Sequence, residues 1–447
     1  MLRKSRKFPV PSAGLILTLV LLAQSPVPCL GRGQGESSKI VTAGSTGGDV
    51  IGADSVAIQQ AIDRVAAAGG GTVVIKAGTY RIANTVRLSS HIRLRGEGPG
   101  KTLLMKIAGV RSNLQLDADY GEMTATVEDA RGFAPGMGVT VLDSVSPEGW
   151  TPSILTIGSI QGNTLRFDGI LHMDYSVANQ GRVVNTFPLV AGFNVEDAQV
   201  EGLSLDGSRA GSGVVDGRQT AAIYFYRSRR VTIRNCEARN YPGDGISLQW
   251  VEDPVVDNCE AEGNATMGIH LGTGALRGIV RDSRAHDNGQ DGLHLGGRVQ
   301  FARYERNTSW NNGRDGISLG HKDTDNMFIG NSSSGNARAG IYFRDEVAAN
   351  AANRNTFQTS TLEDNGRPGE PGYAVRIDGE TRDLKFVSNT IRSHRINGVV
   401  AQPVGFYLGP GTDGITADQN LFIGEVQKAI IDESQGSHNQ LATPLGR

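Results

Sequence analysis

NGQDGLHLGGRVQFARYERNTSWNNGRDGISL, residues 288–319, contains one phrase twice: QDGLHL and RDGISL, 24 residues apart. The phrase continues outward as GDGISL at 243–248, TMGIHL at 266–271 and RAGIYF at 338–343. Its second position falls at Asp244, Met267, Asp291, Asp315 and Ala339, in steps of 23 or 24 residues. The column extends back to Ala221 in TAAIYF and, after a longer step, forward to Tyr373 in GYAVRI and Asn397 in INGVVA. A repeat this short has no room for two strands, a helix and their loops. It holds three short strands and three bends, one coil of a solenoid. Inside each phrase Ile or Leu alternates with Ser or His, the period of a strand with its apolar face turned inward. Asn264, Asn288, Asn312 and Asn336 each precede the column by three residues. Stacked amides of this kind satisfy a tight bend from coil to coil. Cys236 and Cys259 keep the same period and stack as thiols, because parallel Cβ vectors suit a disulfide poorly. The reading is all-β: a right-handed parallel β-helix with rungs of about 24 residues.

Outside the repeats the chain divides further. Arg3, Lys4, Arg6 and Lys7 precede the apolar run Ala13–Ala23, the pattern of a secretory signal; we assign it to residues 1–33. The run is short for a membrane span and no second one follows. The mature chain is therefore expected to be free of the membrane, secreted or periplasmic. Residues 34–108 read as a capping helix and the first rungs. Asp54 serves as N-cap, with Val56, Ile58, Ile62 and Val65 on one face. A helix there covers strand edges that an open solenoid end leaves bare. Residues 109–190 break the rhythm with short strands between Gly, Pro and Asn turns, an inserted β-rich subdomain. Repeats resume over 191–402, and 403–447 supply the final rungs and a C-terminal cover. With 44 basic against 46 acidic residues, nothing suggests nucleic acid as a partner.

The segment AIQQAID, GGGTV, AGTYRI and RLRGEG, within Asp54–Gly98, resembles the N-terminal part of the pectate-lyase-like β-helix superfamily. Together with the repeats the resemblance covers most of the chain. It implies the β-helix fold and a carbohydrate polymer as substrate. It does not choose among the hydrolases, lyases, epimerases and tailspikes of that superfamily. Against the polygalacturonase pattern of NTD, DD, GHG and RIK, Asp291 and Asp315 match the acidic column. Ala339 stands where a His belongs, and Arg376-Ile377-Asp378 lacks the Lys. The DPHD motif of mannuronan epimerases is absent.

The register places candidate chemistry on one outer face. Asp291 and Asp315, on adjacent rungs about 4.8 Å apart, are the candidate acid and base. Proximity of two carboxylates raises the pKa of one. His294 and His321 orient or tune them, and Arg344 and Glu346 complete the catalytic set. Asp244, Gln249, Trp250, His270, Lys322, Asp323, Tyr342 and Arg376 are candidate substrate contacts. Gly272, Gly296 and Gly320 stack in one column, read as a flat patch where a ligand approaches the backbone. Asp-Gly at a strand start is also ordinary turn chemistry, and this bears most on Asp244.

Three functions follow in order. The first is a glycoside hydrolase using Asp291 and Asp315. The second is a lyase or epimerase that removes a proton beside a uronate carboxylate, with His321, Lys322, Arg344 and Arg376 as candidates. The third is a non-catalytic glycan-binding solenoid. No cofactor is required, although Asp323, Asp325 and Glu346 could contribute to a calcium site. The few aromatics favour a short binding site, and the assembly is a monomer or a trimer.

Overall fold

The computed structural model describes residues 39–145, 150–367, 370–443 and 445. The segment 1–33, expected to be a signal, lies outside them. Among these residues, no helix is long and apolar enough to cross a membrane.

Three long sheets of parallel strands run side by side, with 14, 11 and 11 strands. Each rung gives one short strand to each sheet, and successive rungs pair in register. The parallel crossovers take the right-handed course that strand twist imposes. The sheet carrying the repeated phrase pairs Ala221 with Asp244, Ile246 with Ile269, His270 with His294, and His294 with Ser318. It then pairs Asp315 with Ala339 and Ala339 with Tyr373. The partner of Tyr373 is Val404, not Asn397. A small antiparallel hairpin, Arg395–Ile396 with Val399–Val400, occupies that rung and displaces the expected position to its turn.

Aliphatic and aromatic side chains fill the lumen in stacks, such as Tyr304, Phe328 and Phe357 with centroids 4.7 and 4.3 Å apart. Buried asparagines form the bends. Asn312 Nδ2 donates to Asn336 Oδ1 at 2.9 Å, to Ala285 O and to Ser309 Oγ, while its Oδ1 accepts from the backbone and side chain of Asn288. A second ladder, not recognised in the sequence, contains Asn307, Asn331, Asn389 and Asn420. Cys236 and Cys259 are free, buried thiols. The Cys259 amide donates to Ser283, whose own amide donates to Asn307, so the thiol column continues into this ladder.

The helix spans Ser55–Ala66, with the Asp54 carboxylate accepting from the Ala57 amide at 2.9 Å. Ala57, Ile58, Ala61, Ile62 and Val65 form its buried face. Val56 is exposed instead, because its position in the first turn falls beside that stripe rather than on it.

The insertion leaves the solenoid between consecutive rungs. Val86–Leu88 pairs directly with Val190–Phe193 although about a hundred residues separate them. Six antiparallel strands between Arg111 and Val184 form a separate sheet with its own core around Val139, Ile157, Leu165 and Phe167. Lys106, buried at the exit, donates to Asn185 Oδ1, Ser212 Oγ and Ile107 O. Burial pushes its pKa down to about 8.

Candidate active site

A cavity of about 700 Å³ lies over the sheet that carries the repeated phrase. His294 reaches it from the strand Leu293–Leu295, with Nδ1 2.8 Å from Asp291 Oδ2. Asp291 is fully buried. Burial alone would raise its pKa, but the His294 hydrogen bond and the Arg314 guanidinium outweigh it and hold the carboxylate below its usual range. An ionised Asp291 only accepts, so Nδ1 carries the proton and the Nε2 lone pair of His294 remains for other partners. Burial, joined by the charges of Arg344 and His270, pushes the His294 pKa down to about 3 despite Asp291. His294 is therefore a neutral imidazole held in one tautomer.

A second pair lies on the preceding rung. His270 Nδ1 is 2.7 Å from Asp244 Oδ2, and Asp244 Oδ1 accepts from the Thr266 hydroxyl and from the Met267 amide at 3.0 Å. The two imidazoles meet edge to face with centroids 4.8 Å apart. His270 Nε2 is buried with no partner among the described residues.

The glycine column explains this packing. A Cβ on Gly296 would stand 2.2 Å from His270 Nε2, one on Gly272 1.9 Å from the Gln249 amide, and one on Gly320 2.3 Å from Arg344 Nε. The glycines make room for side chains of neighbouring rungs lying across them, rather than leaving the flat patch the sequence suggested.

Of the predicted set, Asp244, His294, His321, Arg344 and Glu346 line the cavity. His321 Nδ1 stands 3.6 Å from Glu346 Oε1. Arg344 donates to Ser318, to Leu295 O and to Asp323. Asp323 is fully buried under amides of Gly297, Val299 and Gly320, and burial pushes its pKa up to about 6. Asp291 and Asp315 do not reach the cavity wall. Asp315 is clasped by Arg338, and burial with the nearby Asp291 charge pushes its pKa up to about 6. Gln249 is buried with its amide engaged by Thr273, Ser247 and Gly217. Lys322 is exposed outside the cavity wall. Tyr342 lies under Arg338, and Arg376 sits by Asp378, Tyr373 and Tyr407, so both belong to the face beyond the cavity. Trp250 borders a neighbouring cavity. Asp325 pairs with Arg354, Asp323 with Arg344 and Glu346 with His321, so these three acids are spread over separate contacts.

Several wall residues were not anticipated. Arg314 and Thr266 each occupy the position before the Asp column, and each holds the Asp of the preceding rung, as Arg338 does for Asp315. The repeat register carried that signal. Trp150 and Arg182 come from the insertion, and Asp216 and Arg218 from the segment leading to the strand Ala221–Tyr226, where no repeat exists to read. Burial and then the Asp244 charge raise the Asp216 pKa. In all, Arg182, Arg218, Arg298, Arg314 and Arg344 line the wall against Asp216, Asp244 and Glu346. Arg314 and Arg344 are held by the buried Asp291 and Asp323, and Arg182, Arg218 and Arg298 are the further guanidinium groups placed to meet an anionic ligand.

Comparison with known proteins places this architecture. A mannuronan C5-epimerase of Azotobacter vinelandii, AlgE1, is 36% identical over 87 residues, 17% of this chain and 6% of that protein, so the match spans only a small part of that relative. The A-module of the A. vinelandii mannuronan C-5 epimerase AlgE6 is similar in structure at 18% identity and TM-score 0.52, covering 87% of this chain and 95% of the module. PfbA, a surface adhesin of Streptococcus pneumoniae, aligns at 14% identity and TM-score 0.53 over 86% and 93% of the two chains. At these identities the structural likeness is one of fold. The family model for the right-handed β-helix region matches residues 185–342 and 277–442, more than half of the sequence, and the chain belongs to that family.

Proposed function

We propose that this protein is an exported polysaccharide-modifying enzyme that abstracts the C5 proton of a uronate residue, in the manner of an epimerase or lyase. The observation that carries the reading is the neutral, single-tautomer His294 facing a cavity with five arginines. The cationic groups suit proton removal next to a carboxylate, where negative charge develops on the carboxylate oxygens, and the Asp291 carboxylate at Nδ1 favours the imidazolium that His294 becomes. The C5–H bond breaks and its proton passes to His294 Nε2. The electron pair delocalises onto the carboxylate among Arg218, Arg298 and Arg344. Return of a proton to the opposite face gives epimerisation. Loss of the O4 substituent, protonated as it leaves, gives a C4–C5 double bond. Asp216 and His321, both in the wall, are assigned this second proton transfer. The mannuronan C5-epimerases that match this chain support the epimerase outcome.

Hydrolysis by Asp291 and Asp315 has less support, since both carboxylates are buried behind the wall and held by Arg314 and Arg338. A hydrolytic alternative passes instead to Asp216 and Asp244, which line the cavity as neighbours.

The test is incubation with polymannuronate, polygalacturonate and a neutral glucan in D2O. Deuterium at C5 of an uncleaved polymer (epimerisation), or an ultraviolet-absorbing product whose C5 carries no hydrogen (elimination), is the expected result. New reducing ends with neither deuterium nor absorbance would overturn the reading in favour of hydrolysis.

A further inference from the structure

We infer that a second cavity, on the N-terminal side of the first, is an aromatic subsite that holds further sugar rings of the same polymer. This inference rests on the reading of the main cavity as a glycan site and adds where the chain runs.

The cavity has a volume of about 500 Å³ and lies over the same sheet. Phe193, Tyr224, Tyr226, Trp150 and Trp250 supply its aromatic wall. Trp150 and Trp250 stack nearly parallel, with centroids 5.1 Å apart, and Tyr226 tilts against both at 5.4 and 5.5 Å. The Arg227 guanidinium lies 5.1 Å from the Trp250 ring. Trp250 holds φ at 51°, the left-handed bend that Asn194 and Arg227 also take at the same position of the preceding rungs. Phe193 is 40% exposed and Trp150 38%. Large apolar surfaces left open this way mark a binding site. Arg87, His172 and Gln219 add polar groups to the rim.

Rigid aromatic faces rimmed by hydrogen-bonding groups match a pyranose, with its apolar C–H face and polar edge. The occupant is a continuation of the substrate because Trp150 lines both cavities. The rungs set the spacing. Trp250 follows a strand two rungs before that of His294, and Phe193 ends one four rungs before it. At about 4.8 Å per rung these lie about 10 and 20 Å from His294 along the axis. A short run of linked sugars covers that distance, so the polymer follows the solenoid axis toward the N-terminal end. The insertion lines this cavity with Trp150, Ile154 and His172. The sequence-based preference for a short site, drawn from the few aromatics overall, missed that several of them converge here.

The experiment uses the full-length exported protein carrying His294→Gln, which removes turnover. Its tryptophan fluorescence is titrated with mannuronate, galacturonate and cellulose oligomers of increasing length. Adding Phe193→Ala is expected to weaken binding of long oligomers of one series about tenfold, leaving dimers unchanged. Equal affinity with and without Phe193 at every length, or no response to any of the three series, would overturn the subsite. If long oligomers bind in this Phe193-dependent way but the D2O experiment shows hydrolysis, the subsite stands and only the chemistry changes.

Discussion

His294 carries the most testable chemistry at the scale of a single residue. Replacing it with Gln keeps a polar side chain and removes the proposed base. We expect turnover to fall about 10²–10⁴-fold, measured as C5 exchange, with an unchanged circular dichroism spectrum. The same residue makes stability depend on pH in a defined direction. Its pKa falls from the usual 6.5 to about 3 on folding, mainly through burial. Its neutral form is at no disadvantage above pH 6.5, and stability is lost as pH falls from there toward 3, where the unfolded chain binds the extra proton. Relative to His294→Gln, the wild type should lose roughly 2–3 kcal/mol between pH 7.5 and 4.5. Denaturant midpoints of both proteins at the two pH values test this, and parallel shifts would remove the buried-imidazole assignment. Gly296 is the neighbouring case. An added methyl meets His270 Nε2 at 2.2 Å, so Gly296→Ala should displace His270, and His294 against it. Activity should drop about a hundredfold while the fold survives; full activity would show that the imidazole pair tolerates displacement.

At the scale of the element, the repeated unit is a bend plus a strand, and its stability lies in the asparagine ladders. Asn312 serves the rung before it and the rung after it. Asn312→Ala leaves the buried Asn288 amide without its acceptor. We expect a cost of about 2–4 kcal/mol, read as a lowered denaturation midpoint. Arg306→Ala, which removes an exposed pair with Asp282, should leave the midpoint nearly unchanged. Equal costs would mean that the bends gain nothing from burying their amides. The first ladder was legible because Asn recurs at a fixed offset from the phrase. The second was harder to see because Cys and Ser take some of its positions, and any small side chain that bonds the turn will serve there.

For the whole molecule, the main question is how charge and shape combine over the sheet. Five arginines surround the cavity, so association with an anionic polymer should weaken as salt rises. We expect KM for a uronate polymer to climb steeply toward about 1 M salt, where the Debye length is about 3 Å, with kcat nearly constant. A KM indifferent to salt would argue for a neutral substrate. The wall that carries this charge is assembled from distant parts of the chain: Arg182 from the insertion, Arg218 from the segment before Ala221, and Arg298, Arg314 and Arg344 from successive rungs.

The sequence by itself determined the solenoid, its register, the inward and outward faces and the column that holds the histidines. These follow from a repeat whose strands pair with their own copies, so the period fixes the neighbours from Ala221 to Tyr373, whereas the hairpin at Arg395–Val400 puts Val404 where the period expected Asn397. It also brought His294, His321, Arg344 and Glu346 into one set. Only the tertiary structure decided which charged groups face solvent and which are buried behind them. Asp291 and Asp315 look like an open carboxylate pair on a rung diagram, yet Arg314 and Arg338 from the following rungs fold over them. Asp216, Arg218 and Trp150 have no register to be read from. They reach the groove because the chain leaves the repeat and returns, and where such an excursion packs is set by contacts with the finished solenoid rather than by any local pattern in the sequence.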